Sequence, residues 1–295
     1  MTAAVPGTGT GTAAIDPRVG CSTISLRGLP LDDALRHIAA GGFTEVDLGA
    51  LPGVCDHVPV PLPEQRVEPI ADVVRASGLR VRTVNADIGP LEELASAPEL
   101  IEDRLRPLIR LAQATGAPAI TLPCGAHGTH SRDHADDEDA VRAVARALTL
   151  AAQATTSVGV ALYAEAPHVL RLCSDLTRAR RPAEASGTAP VGMVLDTSHV
   201  VASGGDCVEA ARAFGGRLAH VHLRDAVPGD IHRSIGRGDV DFAALVRHLT
   251  TTGYDGHYSL ELETHDVTDD QRPAEAARAG AVLSGLLRNA FPPAH

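Results

Sequence analysis

The sequence predicts a single-domain α/β fold, a (β/α)8 TIM barrel, and three observations carry that expectation. Short apolar runs alternate with segments of helical periodicity from Arg18 nearly to the C-terminus. Eight strand–helix pairs fit into a length close to the roughly 250 residues that such a barrel needs. The segment after the first strand, Cys21-Ser-Thr-Ile-Ser-Leu-Arg27, lacks the glycine-rich turn that the runner-up, a doubly wound open sheet, places there. With 295 residues, 44% of them hydrophobic, the chain could also supply two ordinary domains. The unbroken alternation argues for one.

Each element has its own signal. Met1 to Ala14 is a Gly/Thr/Ala tract without a basic residue or an apolar core, so residues 1–16 are expected to form a disordered tail and 17–295 the barrel. Val19 to Ile24 reads as the first strand. Pro30 to Gly41 reads as a helix because Leu31, Ala34, Leu35 and Ile38 share one stripe and glycines end it. Thr44 to Gly49 is the second strand and completes a βαβ unit. Helix Glu64 to Ser77 leads to strand Arg80 to Asn85, and helix Glu99 to Thr115 leads to strand Ala119 to Leu122. Helix Glu138 to Thr156 is followed by strand Gly159 to Glu165, and a weaker helical pattern near Leu170 to Arg180 by strand Gly192 to Asp196. Helix Asp206 to Phe214 precedes strand Leu218 to Leu223, helix Phe242 to Thr251 precedes strand His257 to Leu262, and Pro273 to Leu287 closes the chain as a helix.

Composition removes several classes of function. No window approaches 18 consecutive apolar residues, so no membrane partner is expected. A net charge of −11 works against nucleic acid, which requires clustered cations to displace counterions. All 26 basic residues are arginine; the absence of lysine removes Schiff-base and Walker-type phosphate chemistry. The five cysteines are widely spaced without a C-x-x-C pair, which suits a reducing cytoplasm better than a disulfide scaffold. With 2% aromatic residues and no tryptophan, stacking platforms are scarce, and a hydroxylated aliphatic substrate is favoured.

In a barrel of this kind the chemistry sits at the C-terminal ends of the strands. The fifth to eighth strands end in Glu165, Asp196, the pair His220 and His222, and Glu261. Each has a plainer reading alone. Glu165 could pair with an arginine, Asp196 could cap the following helix, and one of the two histidines could be an ordinary core residue. Glu261 directly ends its apolar run and is taken as the inner residue over Glu263. Together, three carboxylates and an imidazole at converging strand ends would repel and lose hydration unless a divalent cation joined them. One ion is expected, Mn²⁺ first, with Mg²⁺, Co²⁺ or Zn²⁺ as alternatives. His168 follows just beyond Glu165 and reads as a substrate contact or a loop cap. His127, His130 and His134 read as a polar lid. Of Arg224, Arg233 and Arg237, one is expected to bind a substrate oxyanion or phosphate, and Arg233 is the choice.

These strand ends resemble the xylose-isomerase-like, AP-endonuclease-2 superfamily of TIM barrels, known broadly as sugar phosphate isomerases and epimerases. The resemblance covers roughly residues 18 to 290. It rests on Glu165, Leu195-Asp-Thr-Ser-His199, His220-Val-His-Leu-Arg-Asp225, Gly236-Arg-Gly-Asp-Val-Asp-Phe242 and Gly253-Tyr-Asp-Gly-His-Tyr-Ser-Leu-Glu261. It implies metal ligands at Glu165, Asp196, His222 and Glu261, a substrate-contacting His199, and often a homo-oligomer. Asp230-Ile-His232 resembles the D-x-H of endonuclease IV, which also needs histidines after its third and fourth strands. Here those ends read Val84-Asn-Ala-Asp-Ile-Gly89 and Leu122-Pro-Cys-Gly125, so a DNA-repair nuclease is not expected, and His232 is assigned to the substrate.

The expected function is a metal-dependent isomerase or epimerase of a small keto-sugar or polyol acting through an enediolate. Glu165 and Glu261 would move protons and His199 would polarise the carbonyl, with His168, His232 and Arg233 around the substrate. A dehydratase or lyase eliminating from a keto-sugar or inosose is the nearest alternative. A non-catalytic barrel subunit of an enzyme complex is the other.

Overall fold

A computed structural model of the chain describes residues 14–125, 138–169 and 171–290. Seven strands, β1 (Val19–Ser22), β2 (Glu45–Ala50), β3 (Arg80–Ala86), β4 (Ala119–Pro123), β5 (Ala161–Glu165), β6 (Val191–Asp196) and β7 (Leu218–Leu223), are joined by β10 (His257–Leu260) in one closed parallel barrel. Its order is β1-β10-β7-β6-β5-β4-β3-β2, so each strand pairs with its sequence neighbour around the barrel and β10 closes it onto β1. Buried on both faces, β2 and β4 show no exposed residue, as expected of a parallel sheet covered by helices.

The outer layer consists of α1 (Leu31–Ala40), α2 (Val67–Ser77), α4 (Pro98–Thr115), α5 (Glu138–Thr156), α6 (Leu176–Ala185), α8 (Cys207–Phe214), α9 (Phe242–Thr251) and α10 (Arg272–Ala290). Each turns an apolar stripe inward; α4, for example, buries Ile101, Leu105, Leu108, Leu111 and Ala112. Gly116 ends α4 in the left-handed conformation at φ 73°, with its N–H returned to the last turn.

The periodicity left four features unread. A single turn of helix, α3 (Leu91–Leu94), follows β3, and α7 (Thr197–Ala202) begins directly at the end of β6. After β7 the chain makes an antiparallel hairpin, β8 (Asp225–Val227) with β9 (Asp230–Arg233), outside the barrel. The helix expected near Leu170 to Arg180 starts only at Leu176, because Asp175 caps it by accepting the N–H of Arg178 at 2.9 Å. The expected lid histidines His127, His130 and His134, and residues 1–13 of the expected tail, lie outside the described residues. The last three residues of that tail are docked rather than loose, since the Asp16 N–H donates to Ser284 Oγ at 2.8 Å and Arg288 reaches the Ala14 carbonyl at 3.0 Å.

Polar groups divide the barrel interior into three levels. At the N-terminal end, buried Glu45 meets His257 Nδ1 at 2.6 Å, Arg80 at 3.0 Å, and Arg82. Two residues further along their strands, Asp47 accepts from His220 Nε2 at 2.9 Å and from the Thr83 N–H at 3.0 Å. Two further again on β5, β7 and the end of β10 stand Glu165, His222 and Glu261.

Candidate active site

At the C-terminal mouth, Glu165, Asp196, His222 and Glu261 each direct one ligand-type atom to a point where all four lie within 4.8 Å of one another. All are buried, between 0% and 4% exposed, so water cannot compensate their charges. His222 Nδ1 is 3.0 Å from Glu261 Oε2 and 4.0 Å from Glu165 Oε2. Asn85, on β3, donates to the other Glu261 oxygen at 3.0 Å.

Asp196 fulfils its helix-cap reading through one oxygen and leaves the other facing the cluster. Its Oδ1 caps α7, accepting from the Ser198 N–H at 2.7 Å, the Ser198 hydroxyl at 2.6 Å and the His199 N–H at 3.3 Å. Its Oδ2 is buried and accepts no hydrogen bond, with the Arg224 guanidinium 3.5 Å away. A carboxylate oxygen left without a donor in a dry site marks where a cation is wanted. Three carboxylate oxygens and one imidazole nitrogen also suit a divalent ion of hard to borderline character.

Protonation follows the same crowding. Burial, with repulsion from Glu261, lifts the Glu165 carboxyl to about 8 despite nearby His222 and Arg224. Burial would lower His222, but Glu261, Asp47 and Glu165 outweigh it and hold the ring well above the usual histidine range. His199 and His168 move the other way: burial, then neighbouring cations and imidazoles, hold both well below that range, so both are neutral. The Val169 N–H donates to His199 Nδ1 at 3.2 Å, which leaves the proton on Nε2, 3.7 Å from Glu165 Oε1.

A cavity of about 410 Å³ opens above the cluster. Glu165, Glu261, His168, His199 and His232 line it, joined by Ile24, Leu51, Pro52 and Val54 on an apolar side. His168 stacks on His199 with ring centroids 3.8 Å apart, and His232 stacks on His265 at the same separation. His232 Nδ1 meets the Glu263 carbonyl at 2.8 Å.

The arginines that follow β7 differ in placement. Arg233 is half-exposed on the hairpin, pairs with Asp230 at 2.9 Å, and does not line the cavity. Arg224 does, only 1% exposed, because Glu263 at 2.7 Å and Ser198 at 3.0 Å draw its guanidinium inward. Arg171 also lines it, donating to Asp87 at 2.6 Å and to the Gly125 carbonyl at 3.0 Å. Neither Asp230 nor His232 belongs to a metal-competent group among the described residues. Sequence reasoning missed Asp47, Asn85 and Arg171; Asp47 alternates with apolar residues on its strand, a pattern that reads as a half-solvated face.

The β8–β9 hairpin is fastened by Asp225. Its buried carboxylate accepts four backbone N–H groups, from Ala226 (2.9 Å), Gly236 (2.8 Å), Gly238 (3.0 Å) and Val240 (3.1 Å). Gly238 admits no side chain, since a Cβ there would come within 2.4 Å of Asp225 Oδ1 and the Ala226 carbonyl. On the opposite wall, Cys124 and Cys173 bring their sulfurs 2.7 Å apart, so two of the five cysteines are neighbours despite their spacing in sequence.

Comparison with known proteins bears on the fold and the family. A putative hydroxypyruvate isomerase of Streptomyces coelicolor is 25% identical over 255 residues, 81% of this chain and 87% of that protein. An uncharacterised protein of Mycobacterium leprae is 39% identical over 75 residues, so the chain matches only 27% of its length. The structure of an L-ribulose 3-epimerase superposes with a TM-score of 0.72 at 22% identity, over 93% of this chain and 96% of that one. An IOLI protein with a bound zinc atom does so at 0.73 and 16%, over 93% and 99%. Both structural likenesses are of fold. Residues 35–284 match the xylose isomerase-like TIM barrel as a family, and the chain belongs to it.

Proposed function

We propose that this protein is a metal-dependent isomerase or epimerase of a small keto-sugar or polyol, working through an enediolate. The observation that carries the reading is the convergence of Glu165, Asp196, His222 and Glu261 in one buried cluster, with Asp196 Oδ2 accepting no hydrogen bond. Those four residues would hold the ion, Mn²⁺ by preference, and a bound divalent ion supplies polarisation of a carbonyl and a neighbouring hydroxyl, which acidifies the C–H beside them.

The remaining work belongs to the chain. Glu165 on β5 and Glu261 after β10 reach the cavity from different strands, so one carboxylate can take a proton from carbon and the other can return one. His199 is neutral with its Nε2–H in the cavity, and it donates to an oxygen that gains charge without itself giving up a proton. His168 holds the His199 ring by stacking, and Leu51, Pro52 and Val54 exclude water from one side. The putative hydroxypyruvate isomerase among the relatives and the epimerase among the fold neighbours support this class of reaction.

The test is hydrogen exchange into D₂O with Mn²⁺ present, across a panel of keto-sugars and inososes, read by mass spectrometry and NMR. Deuterium appearing on the carbon beside the carbonyl is the expected result. Loss of water from the product would reassign the reaction to elimination. Absence of both metal binding and exchange throughout the panel would leave the non-catalytic barrel as the reading.

A further inference from the structure

We infer that Asp47 is a positioning residue for His222, fixing the ring so that Nδ1, not Nε2, faces the carboxylate cluster. This rests on the metal-dependent reading above. His222 presents its two nitrogens to two different levels of the barrel. Nδ1 looks up, 3.0 Å from Glu261, and Nε2 looks down, 3.5 Å from Asp47 Oδ2. The ring is 0% exposed, and among the described residues Asp47 supplies the carboxylate within ion-pair reach of Nε2. A proton on Nε2 is therefore stabilised by an anion, whereas a proton on Nδ1 would occupy the lone pair that a cation needs.

Asp47 is itself held from outside the cluster. It stands on β2, across the barrel interior from β7, and is 1% exposed. The Thr83 N–H fixes Oδ1 at 3.0 Å and His220 Nε2 fixes Oδ2 at 2.9 Å. The first histidine of the His-Val-His strand thus acquires a role. His220 steadies the acceptor, the acceptor sets the tautomer of His222, and the ring edges of the two histidines meet at 5.2 Å in a near-perpendicular arrangement. A carboxylate behind a ligating imidazole both orients the ring and raises its basicity, and removing such a partner weakens metal affinity by about 10- to 100-fold.

The experiment titrates Mn²⁺ and Zn²⁺ into wild type, Asp47→Asn and Glu261→Gln by calorimetry with a competing chelator, alongside thermal unfolding of each metal-free protein. Asp47→Asn is expected to bind both ions about 10- to 100-fold more weakly than wild type while the folded fraction is unchanged. Long-range ¹H–¹⁵N NMR of zinc-loaded wild type supplies a readout independent of any variant: His222 is expected to carry its proton on Nε2. Wild type that binds neither ion would overturn the proposed function itself. Tight wild-type binding with Asp47→Asn within about threefold of it, or His222 bound to zinc through Nε2, would overturn the positioning role alone.

Discussion

Glu45 and Glu165 lie at opposite ends of one barrel interior, and each is shut away from water. At the N-terminal end, burial would raise the Glu45 carboxyl, but His257 and Arg82 outweigh it and hold the group at about 2. At the C-terminal end the same burial meets two further carboxylates, and Glu165 rises to about 8. At the lower site one carboxylate is surrounded by Arg80, Arg82 and His257. At the upper one, Glu165, Asp196 and Glu261 crowd around His222 and Arg224, an arrangement of the kind that marks candidate functional sites. The difference separates a carboxylate matched by cations from one crowded by other carboxylates.

Substitution tests that contrast most directly. Glu165→Gln and Glu261→Gln should each reduce turnover by about 10³-fold or more, since both proton transfer and ion binding are lost. Glu45→Gln should leave turnover within about twofold and instead cost about 3 kcal/mol of stability in urea unfolding, the low end for breaking a buried pair, because Arg80 and Arg82 can rehydrate. Metal-free Glu165→Gln should be as stable as wild type or more so. An Asn or Gln that lowers stability equally at both ends would break the comparison.

Asp196 divides the two roles within one side chain. Asp196→Asn can keep the cap on α7, so Mn²⁺ affinity should fall about 10- to 100-fold with little change in melting temperature. Asp196→Ala should lose the same affinity and about 1 kcal/mol more of stability.

The two ends should also respond to pH with opposite sign. Glu45 titrates lower in the folded state than in the unfolded one, so its contribution is present above about pH 4.5 and is lost as pH falls towards 2. Glu165 titrates higher when folded, so its contribution is present below about pH 4.5 and is lost as pH rises through 8 in the metal-free protein. Unfolding curves of metal-free wild type and Glu165→Gln across that upper window should diverge, with wild type losing stability and the variant not. The smallest effect is calorimetric. Ion binding at neutral pH should release protons held by Glu165 and His222, seen as a dependence of the heat on buffer ionisation.

The strands that end at the four clustered residues were legible because an apolar strand ending in Glu, Asp or His is a conflict that convergence explains. The parts that stayed hidden lack such a conflict. Asp47 sits inside Glu45-Val-Asp-Leu-Gly-Ala50, where a polar residue at every second position reads as a half-solvated face, and only barrel closure turns it inward. Arg224 and Arg233 are equally basic and both follow β7. Which one enters the cavity depends on Glu263 and Ser198, contributed by other strand ends. The hairpin did carry a signal, Pro228-Gly229 between short polar-apolar runs, but its three- and four-residue strands are too brief for periodicity to register.

Asp225 has a consequence for remodelling the protein. Through one carboxylate, the excursion between β7 and α9 is closed on itself at its base, and the ring of four amides there leaves the tip at Pro228-Gly229 outside the clasp. A segment anchored in this way is a cassette. Its second strand carries Ile231 and His232 into the cavity wall, so exchanging those residues would alter what the cavity accepts, while His222, three residues before the clasp, keeps its place in the barrel wall.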